Sequence, residues 1–197
     1  MSAKILAFAP RARSSESLSD AALLAACATG DAPALGLLFE RFAARVSRFL
    51  SRMLGSRTPE IEDLTQATFV EVWRAAPRYR GASSVQVWIF GIAHNLARHH
   101  LRGRKRQASA ITAFGERPTA PEQPLDERCE QARLVERVAE GLAILSPELR
   151  GAFVLCDLEG VACVEAAEIL RVPAGTVRRR LFEARQRLRA LLGGTLR

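Results

Sequence analysis

Residues 159–192 read EGVACVEAAEILRVPAGTVRRRLFEARQRLRALL, and this stretch decides the fold. It parses as a short helix, a tight turn at Arg171-Val172-Pro173, and a second helix studded with arginine. Val164, Ala167, Ile169 and Leu170 supply apolar surface in the first helix. Pro173 suits the first turn of the second, where its missing N–H leaves no bond unmade. Val177, Leu181, Leu188, Leu191 and Leu192 recur at helical spacing and are expected to face a core. Arg178, Arg179, Arg185, Arg187 and Arg189 then fall on outer faces. The pattern is that of a helix-turn-helix, whose second helix enters the major groove of DNA. Arginine grips guanine edges and phosphates with two parallel hydrogen bonds. A solvated basic helix without a ligand would look the same, so the rest of the chain has to decide.

The chain has 197 residues, 48% hydrophobic and 25% charged. That is enough for two small domains with cores of their own. Its formal net charge is +8 and its pI about 10.5. A polyanion is the expected partner of so basic a protein, nucleic acid first. Lys4 and Lys105 are the only lysines, so the positive charge is arginine and its placement carries the information. No apolar run reaches the eighteen or so residues of a membrane span. Ile5 to Ala9 is too short for a signal-peptide core, and a cytoplasmic protein without membrane insertion is expected. Cys27, Cys129, Cys156 and Cys163 are widely spaced and form no C-x-x-C pair. They are expected as free thiols, with Cys27 and Cys156 packed as small hydrophobes. His94, His99 and His100 have no cysteine or carboxylate at ligand spacing, so neither a metal nor another cofactor is expected.

Helical periodicity runs through the rest. Residues 1–17 lack it and read as a flexible tail. Ser19-Asp20 caps a helix carrying Leu23, Leu24 and Cys27. Ala32 to Leu54 forms a longer one with Leu35, Leu38, Phe39, Phe42, Val46 and Phe49 on one stripe. After a break at Gly55 to Pro59, a third helix covers Glu60 to about Ala76. Pro77 to Ser84 is a loop, with Ser83 or Ser84 capping a fourth helix from Val85 to about Gly103. Trp73 and Trp88 sit on apolar stripes and read as core. Pro118, Pro121 and Pro124 make residues 107–128 a linker. A second helical set follows, with Leu134, Val138, Leu142 and Leu145 on a stripe. Ser146-Pro147 then caps a helix over Glu148 to Leu158. No strand pattern appears. The expected fold is all-α: two small helical domains, at 18–106 and 129–194, on a flexible linker.

Two segments carry a family resemblance. One is DLTQATFVEVWRAAPRYRGASSVQVWIFGIAHNLARHHLRGRKR, starting at Asp63. The other is LSPELRGAFVLCDLEGVACVEAAEILRVPAGTVRRRLFEARQRL, starting at Leu145. Together they resemble the extracytoplasmic-function sigma factors, bacterial initiation factors with only sigma domains two and four. The resemblance spans about residues 18–192 and implies a non-enzymatic subunit that gives core RNA polymerase its promoter choice. Domain two would dock on the β′ clamp helices through Asp63, Leu64, Gln66, Phe69 and Val70. It would hold the melted −10 element with Tyr79, Arg80, Ser83, Asn95, Arg98 and Arg102. An unpaired base needs a pocket and polar groups for its edge, and arginines add affinity through the phosphates. Domain four would read the −35 duplex with Thr176, Arg178, Arg179, Phe182, Glu183 and Arg185. The family further implies control by an anti-sigma factor and a role in stress response.

The chain departs from the family pattern at several points. Arg171 stands where a glycine usually accepts a left-handed backbone, at a cost of about 1 kcal/mol if that geometry is kept. Ala162 replaces the usual Ser/Thr cap, Ala67 a common acid and Gly91 a common basic residue. Arg179 and Glu183 replace a common serine and a common base, so an unusual −35 preference is expected. Two rivals remain: a sigma mimic that binds an anti-sigma protein without touching DNA, and a free-standing helix-turn-helix regulator. A mimic should lose its basic faces, which residues 171–197 keep. A regulator would not need the segment at Asp63 to Val70. No nucleophile-base arrangement, phosphate-cradling glycine loop or metal spacing points to an enzyme.

Overall fold

The computed structural model describes residues 18–55, 59–112 and 140–193. The expected tail, most of the expected linker, and Leu134 and Val138 lie outside these residues. All the regular structure among the described residues is helical.

Local chemistry sets the helix ends. In α1, Asp20–Ala28, the Ser19 hydroxyl accepts from the Ala22 N–H, and Leu23, Leu24 and Cys27 are buried. In α2, Ala32–Leu54, the Asp31 carboxylate accepts from the Ala34 N–H, and the helix ends on Gly55 in a left-handed conformation at φ 73°. That backbone favours glycine because a Cβ would meet the carbonyl oxygen. Leu38, Phe42, Val46, Phe49, Leu50 and Met53 are buried along α2, but Phe39 is not on the core stripe. It is exposed and packs edge-on against Phe69, with centroids 4.9 Å apart.

Helix α3, Pro59–Ala75, passes into one 3₁₀ turn, Ala76–Arg78. Its two buried threonines bond back to their own helix: Thr65 Oγ1 donates to the Ile61 carbonyl and Thr68 Oγ1 to the Leu64 carbonyl, both at 2.7 Å. Helix α4 covers Val85–Thr112, with the Ser84 hydroxyl accepting from the Val87 N–H. It continues past Gly103 into the stretch read as linker. A glycine inside a helix costs only about 1 kcal/mol, and the Arg/Lys-rich flank is a good helix former. The Phe90 ring of α4 stacks on Phe49 of α2 at 5.1 Å. Each such ring contributes about 2 kcal/mol by leaving water. Trp73 and Trp88 are half-buried against this core.

In the second set, Leu142 and Leu145 are buried as expected. Ser146 caps α5, Pro147–Phe153. The chain does not continue as a regular helix to Leu158. Val154–Leu158 is a wider π turn, closed by the Glu159 N–H on the Val154 carbonyl at 3.0 Å. Such turns re-aim the residues that follow. Helix α6 is Cys163–Leu170 and α7 is Ala174–Gly193. In α6 Ala166, Ala167 and Leu170 are buried, whereas Val164, expected inward, is 59% exposed. Leu191, also expected inward, is exposed near the end of α7, three residues beyond the buried Leu188.

Arg171 does adopt the left-handed geometry, at φ 55°, closing α6 with its N–H on the Ala167 and Glu168 carbonyls. Arg171→Gly is therefore expected to raise unfolding stability by about 1 kcal/mol in urea titration. No change would mean that the arginine side chain offsets its own strain. At the other end of α6, Ala162 makes no side-chain cap, and only Glu165 reaches back to its N–H, at 3.3 Å.

The second set packs onto the first. Arg150 of α5 is 9% exposed and lies at the C-terminus of α2. Its guanidinium donates to the carbonyls of Met53 (3.0 Å), Ala143 (2.9 Å) and Leu145 (3.3 Å). Glu159, just beyond the π turn, pairs with Arg52 at 2.8 Å and Arg45 at 3.7 Å, both on α2. On α4, Gly91 faces Ile169 of α6, whose side chain lies 3.7 Å from where a Cβ would stand, an ordinary van der Waals contact. Gly151 likewise lies close against His94 and Met53.

Candidate nucleic-acid interface

Helix α7 presents the face expected to read duplex DNA. Val177, Leu181, Ala184 and Leu188 hold one side in the core. Arg178, Arg179 and Phe182 face solvent, Phe182 at 63% exposure. An exposed ring of this size between arginines offers apolar contact for a thymine methyl. Thr176 is half-buried in the first turn. Glu183 and Arg185 are already engaged. Arg187 donates to Glu183 at 2.7 Å. Arg185 grips Asp157 with two bonds, at 2.8 and 2.6 Å. The Asp157 hydrogen bond and charge hold the Arg185 guanidinium above even its usual pKa. A phosphate contact by Arg185 must therefore share or displace Asp157. Arg187 falls on the outer face as its spacing predicts, whereas Asp157 did not stand out in the sequence as part of this surface.

On α3, Asp63, Gln66 and Val70 share the exposed face, and Leu64 is half-buried. Spacings of three and four residues put them in one row. Val70 is 47% exposed. Phe69, named with them, is buried against Phe39. It lies three residues from Gln66, at the edge of the row where the helix turns towards its core, so it supports the face from beside it.

The loop before α4 is held from within. The Tyr79 hydroxyl donates to the Ser83 carbonyl at 2.5 Å, and its ring packs edge-on against Trp88 with centroids 5.3 Å apart. Tyr79 thus fixes the loop that displays Arg80, which is exposed. Asn95, Arg98 and Arg102 follow at helical spacing along α4. Asn95 and Arg98 are half-buried and Arg102 is exposed. The Arg98 Nε is buried without a hydrogen-bond partner among the described residues.

His94 lies one residue before Asn95 and was not expected to matter. It is buried, its Nδ1 has no partner, and burial reinforced by nearby Arg98 pulls its pKa down to about 4. The folded chain keeps the imidazole neutral, whereas the unfolded chain protonates it below about pH 6.5. Stability is therefore full above that value and falls as pH drops towards 4. Urea titration is expected to show a loss of about 2 kcal/mol between pH 7 and pH 5 from this group. His94→Leu should flatten that slope. An unchanged slope would place the titration elsewhere.

Glu159 and Arg150 also went unread in the sequence, because nothing in their spacing marks them. The Glu159 side chain is 6% exposed, and burial pushes its carboxyl above the ordinary value, although Arg52, Arg45 and Arg48 pull it back. Burial likewise pulls Arg150 below its ordinary value.

Comparison with known proteins agrees with this layout. Sigma-70 region 2 matches residues 38–107 and Sigma-70, region 4, matches residues 136–188. The ECF RNA polymerase sigma-E factor of Escherichia coli (strain K12) is 31% identical over 180 residues, covering 87% of this chain and 93% of that protein. Its counterpart in Haemophilus influenzae is also 31% identical over 180 residues, with 87% and 94% covered. Among solved structures, CnrH in complex with the cytosolic domain of CnrY aligns at TM-score 0.66 and 28% identity, covering 89% of this chain and 98% of that one. The sigma factor RpoE in complex with the anti-sigma factor NepR, from Bartonella quintana, aligns at TM-score 0.65 and 23% identity, covering 81% and 96%, and supports the fold alone. With both sigma regions present in order, and relatives matched over nearly their full length, the chain belongs to the extracytoplasmic-function RNA polymerase sigma factors.

Proposed function

We propose that this sigma factor works by binding alone, and that its two helical domains, at about 18–106 and 129–194, divide the work. The exposed row Asp63, Gln66 and Val70 on α3 docks on the β′ clamp helices of core RNA polymerase, with Leu64 and Phe69 beside it. Arg80, Ser83, Asn95, Arg98 and Arg102 hold the melted −10 strand, on a loop that Tyr79 fixes. Helix α7 reads the −35 duplex through Thr176, Arg178, Arg179, Phe182 and Glu183, with Arg185 on a phosphate. The observation that carries this reading is the exposed Arg178, Arg179 and Phe182 face on a helix otherwise anchored in the core. A sigma mimic would have no use for it. The relative CnrH is solved with the cytosolic domain of another protein, which supports cytoplasmic action and control of this chain by an anti-sigma factor in a stress response.

A promoter-variant library transcribed with core polymerase tests the assignment. Glu183 accepts from cytosine and repels phosphate, so Glu183→Arg is expected to change the preferred −35 base at one or two positions. An unchanged preference would remove Glu183 from the reading face.

A further inference from the structure

Two cysteines that look unrelated in sequence face each other in the second domain. The Sγ atoms of Cys156 and Cys163 are 4.0 Å apart. Cys156 sits in the π turn and Cys163 is the first residue of α6. Both are half-buried rather than sealed in the core. Between them the chain reverses at Gly160, with φ 71°. A disulfide needs its sulfurs about 2.05 Å apart, so closure asks for an approach of about 2 Å.

We propose that Cys156 and Cys163 form a reversible intramolecular disulfide, made by exchange with a small-molecule disulfide. The Cys163 thiolate attacks one sulfur of the oxidant. A mixed disulfide forms, the oxidant's S–S bond breaks, and one thiolate leaves and takes up a proton. Cys156 then gives its proton to solvent and attacks the Cys163 sulfur, releasing the second thiolate. The protein dithiol loses two electrons, and one small disulfide becomes two thiols. The order follows from the surroundings. Burial, with the neighbouring Cys163 adding to it, pushes the Cys156 thiol up to about 12, so Cys156 suits the resolving step, where its partner sulfur is already at hand. The segment between the cysteines carries Asp157, which holds Arg185 of α7, and Glu159, which pairs with α2. The bond therefore closes at the root of both contacts.

The test is mass spectrometry of the full chain, equilibrated with oxidised and reduced glutathione, quenched in acid, alkylated and cut with trypsin. Cleavage after Arg150 and Arg171 places both cysteines in one peptide. The expected result is a peptide that loses both alkylation sites, weighs about 2 Da less than its unalkylated reduced form, and reverts with dithiothreitol. Cys156→Ser is expected to trap one glutathione on Cys163. A peptide that stays doubly alkylated across the redox range, a bond between two chains, or glutathione adducts on the wild type without closure would each overturn the proposal.

Discussion

Replacing Arg150 by methionine is expected to cost about 3 kcal/mol of unfolding stability in urea titration. The argument rests on what is left behind rather than on the charge itself. The guanidinium is desolvated, and burial lowers its pKa, so its presence already costs something. What it provides is three donors to three carbonyls, those of Met53, Ala143 and Leu145. Met53 lies in the last turn of α2, where carbonyls lack partners and a positive charge is favoured. Methionine fills similar volume but leaves all three acceptors without that donor, at about 1 kcal/mol each. The Glu159 cluster makes the contrast. Burial outweighs three arginines at that carboxyl, so Glu159→Gln is expected to change stability by less than about 1 kcal/mol. If Arg150→Met unfolds like the wild type while Glu159→Gln is strongly destabilised, the ion pair and not the carbonyl clamp joins the two helical sets.

The double substitution Arg178→Ala, Arg179→Ala is expected to weaken holoenzyme binding to a promoter duplex about a hundredfold at moderate salt, from 1–3 kcal/mol per arginine that reaches a base edge. Both side chains are exposed, and neither is in an ion pair among the described residues. The salt dependence should also become shallower where phosphate contacts are lost. Arg185→Ala is expected to cost much less, because Asp157 already holds that guanidinium with two bonds. Equal losses from the pair and from Arg185 would mean that α7 contributes only diffuse charge and reads no base.

Much of the architecture was legible because helix ends are written in single residues. Ser19, Asp31, Ser84 and Ser146 each accept from an N–H three residues on, and Gly55 supplies the left-handed stop. Boundaries set by weaker signals were misread. Gly103 reads as a stop in sequence, but one glycine does not outweigh the strong helix formers around it, and α4 runs on to Thr112. The π turn at Val154–Leu158 has no periodic signature, since its residues alternate as any buried helix would. Phe39 and Val164 carried the right spacing for a core and ended at the surface, because the stripe on each helix is narrower than the run of apolar residues.

The surfaces were legible in part. Arg178 and Arg179 emerged from spacing and charge and Phe182 from the family resemblance, and the structure leaves all three exposed. Phe69 was grouped with Asp63 and Val70 through the family resemblance, yet it is buried at the edge of that row while Val70, one residue on, is exposed. Arg150, Asp157 and Glu159 could not be singled out. Each depends on a partner far along the chain, and a charged residue at an ordinary surface spacing carries no mark of it. The Cys156–Cys163 approach was hidden in the same way, since seven residues across a π turn match no thiol motif.

The first measurement to make is a size-exclusion titration of the purified chain against bacterial core RNA polymerase at moderate salt, with Asp63→Arg as the matched control. The expected result is tight one-to-one comigration that the substitution weakens at least tenfold, about 1.4 kcal/mol at a docking row on α3. Absence of comigration by a folded chain free of any copurified inhibitor would contradict polymerase docking. It would leave the arginine face of α7 as the surviving functional surface.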